Sequence, residues 1–150
     1  MTINLTKYDK NRLFNEFLEY LEKKQEQDLV PVSIFARSLT PFEALCKYCV
    51  DYLGLGYSEL GRALKKDRQV IWTTYRRASK KMPGKFSYGS DIKIPLKKFV
   101  SDDLSIFELL VQHLKEAEGL SYSEIAAILD KSPKTIWTIY SRVRKKNANA

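Results

Sequence analysis

Residues 56–77, GYSELGRALKKDRQVIWTTYRR, align without a gap on residues 121–142, SYSEIAAILDKSPKTIWTIYSR, at an offset of 65 positions. The alignment extends from Leu39/Leu104 to Lys81/Lys146, and 18 of its 43 pairs are identical. Self-similarity at a long fixed period indicates a structural unit that occurs twice. We therefore expect two similar units, in which each residue can be compared with its counterpart.

The composition limits the class of protein. The chain has 150 residues, of which 44% are hydrophobic, and this is enough for one ordinary domain or two very small ones. No apolar run has the length of a membrane span, so we expect a soluble protein without a membrane partner. The start, MTINLTKYDKNRLF, lacks the charged-then-apolar order of a secretory signal, which predicts a cytoplasmic location.

Positive charge is concentrated in the two aligned stretches. The net charge is +8. Residues 65–81 hold seven basic side chains and one acidic side chain, and residues 130–146 hold six and one. Such clusters are typical of proteins that bind a phosphate backbone. A solvated charged face without a partner produces the same pattern, so charge alone leaves both interpretations open.

Capping signals predict the first helix of each unit. Residues 40–43 (TPFE) and 105–108 (SIFE) are capping boxes, in which a hydroxyl and a glutamate satisfy backbone N–H groups reciprocally. Gly54 and Gly119 suit the C-terminal ends of these helices. Each unit is therefore expected to begin with a helix that ends near its glycine.

Two further helices follow in each unit. A short helix is expected after Gly56 or Ser121, and a third helix after the N-caps Asp67 or Ser132. About three residues separate the second helix from the third, which is the arrangement of a helix-turn-helix. Steps of four and three predict the inward stripe of the third helix: Ile71, Tyr75 and Ala78 in one unit, and Ile136, Tyr140 and Val143 in the other.

These residues carry a family resemblance. Residues 119–146, GLSYSEIAAILDKSPKTIWTIYSRVRKK, resemble the promoter-recognition (region 4) helix-turn-helix of bacterial sigma factors and related output domains of response regulators, with the pattern L-S-Y-x-E-I-A-x-x-L-x-x-S-x-x-T-V. The resemblance covers residues 105–146 well and residues 40–81 less well. The chain departs from the pattern in the turn, with Lys65-Lys66 and Asp130-Lys131, and in the third helix, with Trp72 and Trp137.

The expected fold class is all-α, with two tandem tri-helical helix-turn-helix modules and an N-terminal amphipathic helix. The expected segments are the N-terminal helix (1–29), the first module (30–81), a linker (82–93), the second module (94–146) and a tail (147–150). Val30-Pro31-Val32 with Phe35 resembles Ile94-Pro95-Leu96 with Phe99, so a short apolar segment, one helical turn, is expected before each module.

The resemblance implies that the third helix enters the major groove of double-stranded DNA. Gln69 suits adenine, Lys134 suits guanine, and threonine methyl groups suit thymine. The turn lysines and the residues that begin the second helix (Tyr57, Ser58, Tyr122 and Ser123) are expected at the backbone. The predicted DNA-contacting set is Lys65, Lys66, Arg68, Gln69, Trp72, Thr73, Arg76, Arg77, Lys80, Lys131, Lys134, Thr138, Ser141, Arg142 and Lys145.

The two tryptophans have two interpretations. Each lies about 100° around the helix from its inward isoleucine, at the boundary of the buried face. Trp72 and Trp137 can therefore pack beneath the preceding helix or contact sugar and base. Packing is the more common fate of a large aromatic side chain, so we expect it here.

The N-terminal segment 9–27 predicts an amphipathic helix. We expect its apolar stripe to pack on the first module, and the alternative is a homodimer formed through this helix. The stripe consists of Leu13, Phe14, Phe17, Leu18 and Leu21.

The sequence gives little support for a metal site or a catalytic site. Cys46 and Cys49 form a C-x-x-C, but their counterparts are Val111 and Leu114, so a core role is expected rather than a metal site. His113, the one histidine, has no catalytic companion. We expect no enzyme activity, no catalytic residues, no metal and no cofactor.

The predicted function is sequence-specific binding of double-stranded DNA by a nucleoid-associated transcriptional regulator with two recognition helices. Gln69 is aligned with Lys134, and Arg76 is aligned with Ser141. Because these side chains differ in chemistry, we expect the two modules to bind different DNA sequences and the DNA site to be asymmetric. Two alternatives remain: a protein-interaction scaffold that binds RNA polymerase or a regulator, and an accessory factor of a mobile element.

Overall fold

A computed structural model describes residues 4–36, 38–86 and 92–149, without the side chains of residues 24–27. This part of the chain is mostly helical, in agreement with the all-α prediction. The helices are α1 (Lys7–Gln27), α2 (Pro41–Asp51), α3 (Tyr57–Leu64), α4 (Arg68–Lys81), α5 (Ile106–Gln112), α6 (Tyr122–Leu129) and α7 (Pro133–Ala148). None of the helices in the described ranges has the length and apolar content of a membrane span.

The predicted helix boundaries are confirmed where capping signals defined them. Glu43 N–H donates to Thr40 Oγ1 at 3.2 Å, and Thr40 N–H donates to Glu43 Oε1 at 2.9 Å. Capping boxes also begin α5 at Ser105 and α6 at Ser121. Gly54 and Gly119 both have φ +67°, the left-handed conformation that ends a helix and that glycine adopts without a steric penalty.

The helices pack in two groups. In the first helical group, α4 contacts α2 and α3, and in the second helical group, α7 contacts α5 and α6. α5 continues into one π-helical turn at His113–Ala117. Apart from Val143, the buried apolar side chains of both groups belong to one continuous core.

A two-stranded antiparallel sheet joins the groups. β1 (Leu29–Pro31) pairs with β2 (Lys93–Pro95), and Val30 lies opposite Ile94 in the register. Short 3-10 turns follow the strands at Val32–Ala36 and Leu96–Phe99. The sequence predicts one helical turn for each segment, but only the second half of each segment is helical. The first half is a strand, because a residue before proline favours extended backbone.

We call residues 29–36 the first lead-in and residues 93–99 the second lead-in. The 3-10 turn of the first lead-in contacts both α2 and α6, whereas that of the second contacts both α5 and α3. The predicted linker also takes part in packing, since Phe86 is buried and its carbonyl accepts a hydrogen bond from the Tyr52 hydroxyl. The segment boundaries at 30–81, 82–93 and 94–146 stay predictions.

The packing expected for α1 is wrong. Its apolar stripe is not covered by the first helical group: Phe14 is 61% exposed and Phe17 is 55% exposed. α1 instead contacts the 3-10 turn of the second lead-in. Periodicity shows that a helix has an apolar face, but it does not show which surface covers that face.

Equivalent ion pairs, each between a buried glutamate and a partly exposed lysine, connect the ends of each helical group. Lys81 Nζ lies 2.9 Å from Glu43 Oε1, and Lys146 Nζ lies 2.8 Å from Glu108 Oε1. Burial opposes ionisation of both glutamates. The hydrogen bonds and the lysine charges outweigh it, and they lower the pKa of Glu43 and of Glu108 below the ordinary value of 4.5.

Acid is therefore expected to destabilise the fold through these two carboxylates. A lowered folded-state pKa contributes stability that is complete above about pH 4.5 and is lost as the pH falls through the folded-state value. Glu43→Gln with Glu108→Gln should lower the free energy of unfolding at pH 7 by about 2 kcal/mol and flatten its dependence on pH between about 5 and 3. Urea unfolding at several pH values measures both effects, and an unchanged slope would contradict the assignment.

Candidate DNA-contacting surface

The turn between the last two helices of each group has the same backbone form. Lys65 has φ 53° and Asp130 has φ 54°, so both residues are left-handed. Lys66 N–H donates to the Gly61 carbonyl at 2.8 Å, and Lys131 N–H donates to the Ala126 carbonyl at 2.9 Å. A left-handed non-glycine residue costs about 1 kcal/mol. The turn therefore takes its left-handed form with a lysine in one group and an aspartate in the other.

The third helix of each group is rotated slightly from the predicted orientation. Thr74 and Ile139 are buried, whereas Tyr75 and Tyr140 are half-buried. The Tyr75 hydroxyl donates to Asp51 Oδ1 at 2.7 Å, which holds the ring at the edge of the core. The predicted stripe through the tyrosines is therefore corrected to residues 71, 74 and 78, and to residues 136, 139 and 143.

This rotation defines an outward surface on each third helix, opposite the buried positions. We call Gln69, Trp72, Thr73, Arg76 and Lys80 the first face, and Lys134, Trp137, Thr138, Ser141 and Lys145 the second face. Arg77 and Arg142 are exposed and flank these faces. The faces differ at two of five positions, with Gln69 opposite Lys134 and Arg76 opposite Ser141 in the alignment.

The predicted DNA-contacting residues lie at the protein surface. Eleven of them are exposed: Lys65, Lys66, Arg68, Gln69, Arg76, Arg77, Lys80, Lys131, Lys134, Arg142 and Lys145. Trp72, Thr73, Thr138 and Ser141 are half-buried. Within each group, these side chains come from the turn and from the third helix.

The two tryptophans differ in exposure. The Arg76 guanidinium carbon lies 5.0 Å from the centre of the Trp72 ring, a cation–π contact that helps to cover this side chain. Ser141 replaces that arginine in the second group, and Trp137 is 56% exposed. Core packing was therefore the wrong expectation for Trp137. Trp137 also belongs with the candidate site residues, and its alignment with Trp72 was the signal for it.

The contacts of one threonine and of two tyrosine pairs show which side-chain groups the helices leave available to DNA. Thr138 Oγ1 donates to the Lys134 carbonyl at 2.9 Å, so its methyl group is the part available to a thymine. The ring of Tyr57 packs 5.7 Å from that of Tyr75, between the second and third helices. The equivalent pair in the second group is separated by 6.2 Å. The tyrosine rings therefore hold the two helices together.

The C-x-x-C motif lies in the core, as its apolar counterparts predicted. Cys46 and Cys49 are fully buried. Burial raises the pKa of Cys46 to about 12 and that of Cys49 well above its ordinary value. The reactive thiolate is therefore disfavoured at neutral pH. Within the ranges that the structure covers, no cluster of histidine, cysteine and carboxylate side chains suits a metal ion.

Comparison with protein families gives one match, which lies in the second helical group. The family model for sigma-70, region 4 matches residues 114–146, which contain most of the π-helical turn, all of α6, and α7 except its last two residues. Region 4 is a DNA-binding helix-turn-helix domain involved in transcription, and it has no catalytic role. The second helical group thus contains a region 4-like helix-turn-helix. No curated protein and no solved structure matches the chain significantly.

Proposed function

We propose that the protein binds double-stranded DNA sequence-specifically and regulates transcription, with two helix-turn-helix modules in one chain. The observation that carries this proposal is the pair of outward faces, each on a helix that follows a left-handed turn. The region 4 match over residues 114–146 supports the assignment of the second module. The aligned sequence, the shared capping boxes and the equivalent ion pairs support the same assignment for the first.

In this proposal α4 and α7 enter major grooves. Residues near the start of each helix meet base edges, and residues further along meet phosphates. Gln69 pairs with adenine and Lys134 with guanine. Lys66 and Lys131, in the turns, bind the backbone together with the N-terminal ends of α3 and α6, where unpaired N–H groups attract anions.

Selection from a random pool of duplexes tests the proposal. We expect recovery of a defined motif, and binding to it should weaken steeply as salt rises, because each neutralised phosphate releases counterions. Absence of binding, or binding that ignores salt, would contradict the proposal. The scaffold alternative would then be favoured, and RNA polymerase would be the first partner to test.

The chain contains two tryptophans, and they lie one on each face. Intrinsic fluorescence should therefore change when the selected duplex is added, without any label.

Trp137→Ala should weaken DNA binding by about tenfold, because the duplex would cover apolar surface of this side chain and burying a large apolar side chain is worth about 1.5–3 kcal/mol. The same change should lower thermal stability little, since the side chain is 56% exposed. Unchanged affinity together with a large loss of stability would assign Trp137 to packing.

We further propose that α1 mediates a homodimer. Phe14 is 61% exposed and Phe17 is 55% exposed, and the same stripe on a second copy would cover both. Phe14→Lys with Phe17→Lys should convert a concentration-dependent dimer into a monomer in sedimentation equilibrium. Wild-type protein that remains monomeric at about 100 μM, where a pair with a Kd of about 1 μM would be mostly dimeric, would contradict the dimer.

A further inference from the structure

The sheet between the two helical groups pairs equivalent residues with each other. In the aligned lead-ins Val30 corresponds to Ile94, and these two residues lie directly opposite in the antiparallel register. The flanking pairs are Leu29 with Pro95 and Pro31 with Lys93, one step to either side. An antiparallel pair centred on equivalent residues has a two-fold axis through its centre, as in the isologous interface of a dimer.

Hydrogen bonds beyond the strands repeat this symmetry. Val32 N–H donates to the Ile92 carbonyl at 3.1 Å, and Leu96 N–H donates to the Asp28 carbonyl at 2.8 Å. At the offset of 64 that aligns the lead-ins, Val32 corresponds to Leu96 and Asp28 corresponds to Ile92. The second hydrogen bond is therefore the equivalent of the first, with donor and acceptor on opposite sides of the sheet. Across the same axis, the rings of Phe35 and Phe99, which are also equivalent, lie 5.8 Å apart.

The helices follow the same exchange. α2 contacts its counterpart α5, and each 3-10 turn contacts the second helix of the opposite group. Residue i of one group thus meets residue j of the other, and j meets i, which defines a local two-fold relation. Two modules in one chain need not have this relation, because successive repeats of a solenoid are instead displaced along an axis.

From this arrangement we infer that the DNA site consists of two inverted half-sites, bound together by one chain. This inference rests on the proposed function and adds the orientation of the site to it. α4 packs on α2 and α3 as α7 packs on α5 and α6, so the same axis relates α4 to α7. Helices related in this way meet the two DNA strands with the same polarity, as the recognition helices of a two-fold dimer do on a palindrome. The differences Gln69/Lys134 and Arg76/Ser141 make the two half-sites unequal in sequence.

The faces allow a direct test of orientation. Because they differ at two positions, the full-length variant Lys134→Gln with Ser141→Arg carries two identical faces. Selection from random duplexes should return an asymmetric inverted site with the wild type and a palindrome with the variant. Recovery of a direct repeat would overturn the inferred orientation and leave the proposed function intact. Failure of the wild type to bind any duplex would overturn both.

Synthetic probes built from the two selected half-sites measure the size of the effect. The inverted probe, with half-site centres about one helical turn apart, should bind about 100-fold more tightly than the direct probe of equal spacing, because only the inverted probe engages both helices. Equal affinities, or two duplexes bound per chain, would overturn the inference. A DNA-cleaving label on Gln69→Cys and on Lys134→Cys should produce cut patterns that mirror each other about the site centre. Patterns that repeat in the same sense would likewise overturn it.

Discussion

Val30→Asp is expected to lower the free energy of unfolding by about 4 kcal/mol or more. Val30 is fully buried, opposite the fully buried Ile94, at the centre of the sheet that joins the two helical groups. A carboxylate at this position has no described cationic partner and must be desolvated or protonated, which is among the most destabilising single changes. Leu29→Asp is the matched control, because the neighbouring side chain is 38% exposed, and it should cost less than about 1 kcal/mol.

The continuous core predicts that both helical groups lose their structure together. Trp72→Phe and Trp137→Phe leave one tryptophan in the second group and one in the first group, respectively. Urea transitions followed by these single tryptophans should coincide. Val30→Ala, which costs about 2 kcal/mol, should shift both transitions equally and serves where the aspartate variant does not fold. Separate midpoints, or equal effects of the two aspartate substitutions, would contradict a shared core.

Arg77→Ala with Arg142→Ala is expected to weaken DNA binding by about 100-fold at physiological salt. Both side chains are exposed beside the candidate faces, and neither forms an ion pair within the described part of the chain. Charge-assisted contacts to phosphate are worth about 1.5 kcal/mol or more each. The loss of two phosphate contacts should also reduce the slope of log affinity against log salt by about two.

The control for this variant has the same change in charge at a distant site. Lys7→Ala with Lys10→Ala removes two positive charges from the exposed surface of α1. Titration of the selected duplex at several salt concentrations should show a much smaller effect than the pair of arginine substitutions on the helix flanks. Equal losses from the two double variants would show that net charge, rather than a defined contact, attracts DNA.

Local signals in the sequence were sufficient to predict most helix boundaries. The hydroxyl and glutamate of each capping box act within four residues, so Thr40, Ser105 and Ser121 could be assigned before the structure was known. The duplicated pattern also identified Cys46 and Cys49 as core residues. The buried stripe of α4 was misplaced because a tyrosine satisfies the apolar pattern although its hydroxyl must reach a polar partner, here Asp51.

Contacts between distant segments could not be predicted in the same way. The resemblance between the lead-ins was visible, but nothing local shows that Val30 pairs with Ile94 or that each 3-10 turn crosses to the opposite group. The exposure of Phe14 and Phe17 was missed for a similar reason. The exposure of Trp137 could be predicted only from its neighbour. Arg76 covers the Trp72 ring in the first group, whereas Ser141 is too short to cover the Trp137 ring.

The crossing of the lead-ins affects the order in which the chain can fold during synthesis. The 3-10 turn at Leu96–Phe99 packs on α3, although it is translated more than 30 residues later than that helix. The first three-helix group therefore leaves the ribosome with part of its apolar surface uncovered. This group reaches its final packing only when the second lead-in has emerged. Folding of the amino-terminal half is therefore completed only after part of the carboxyl-terminal half has been synthesised.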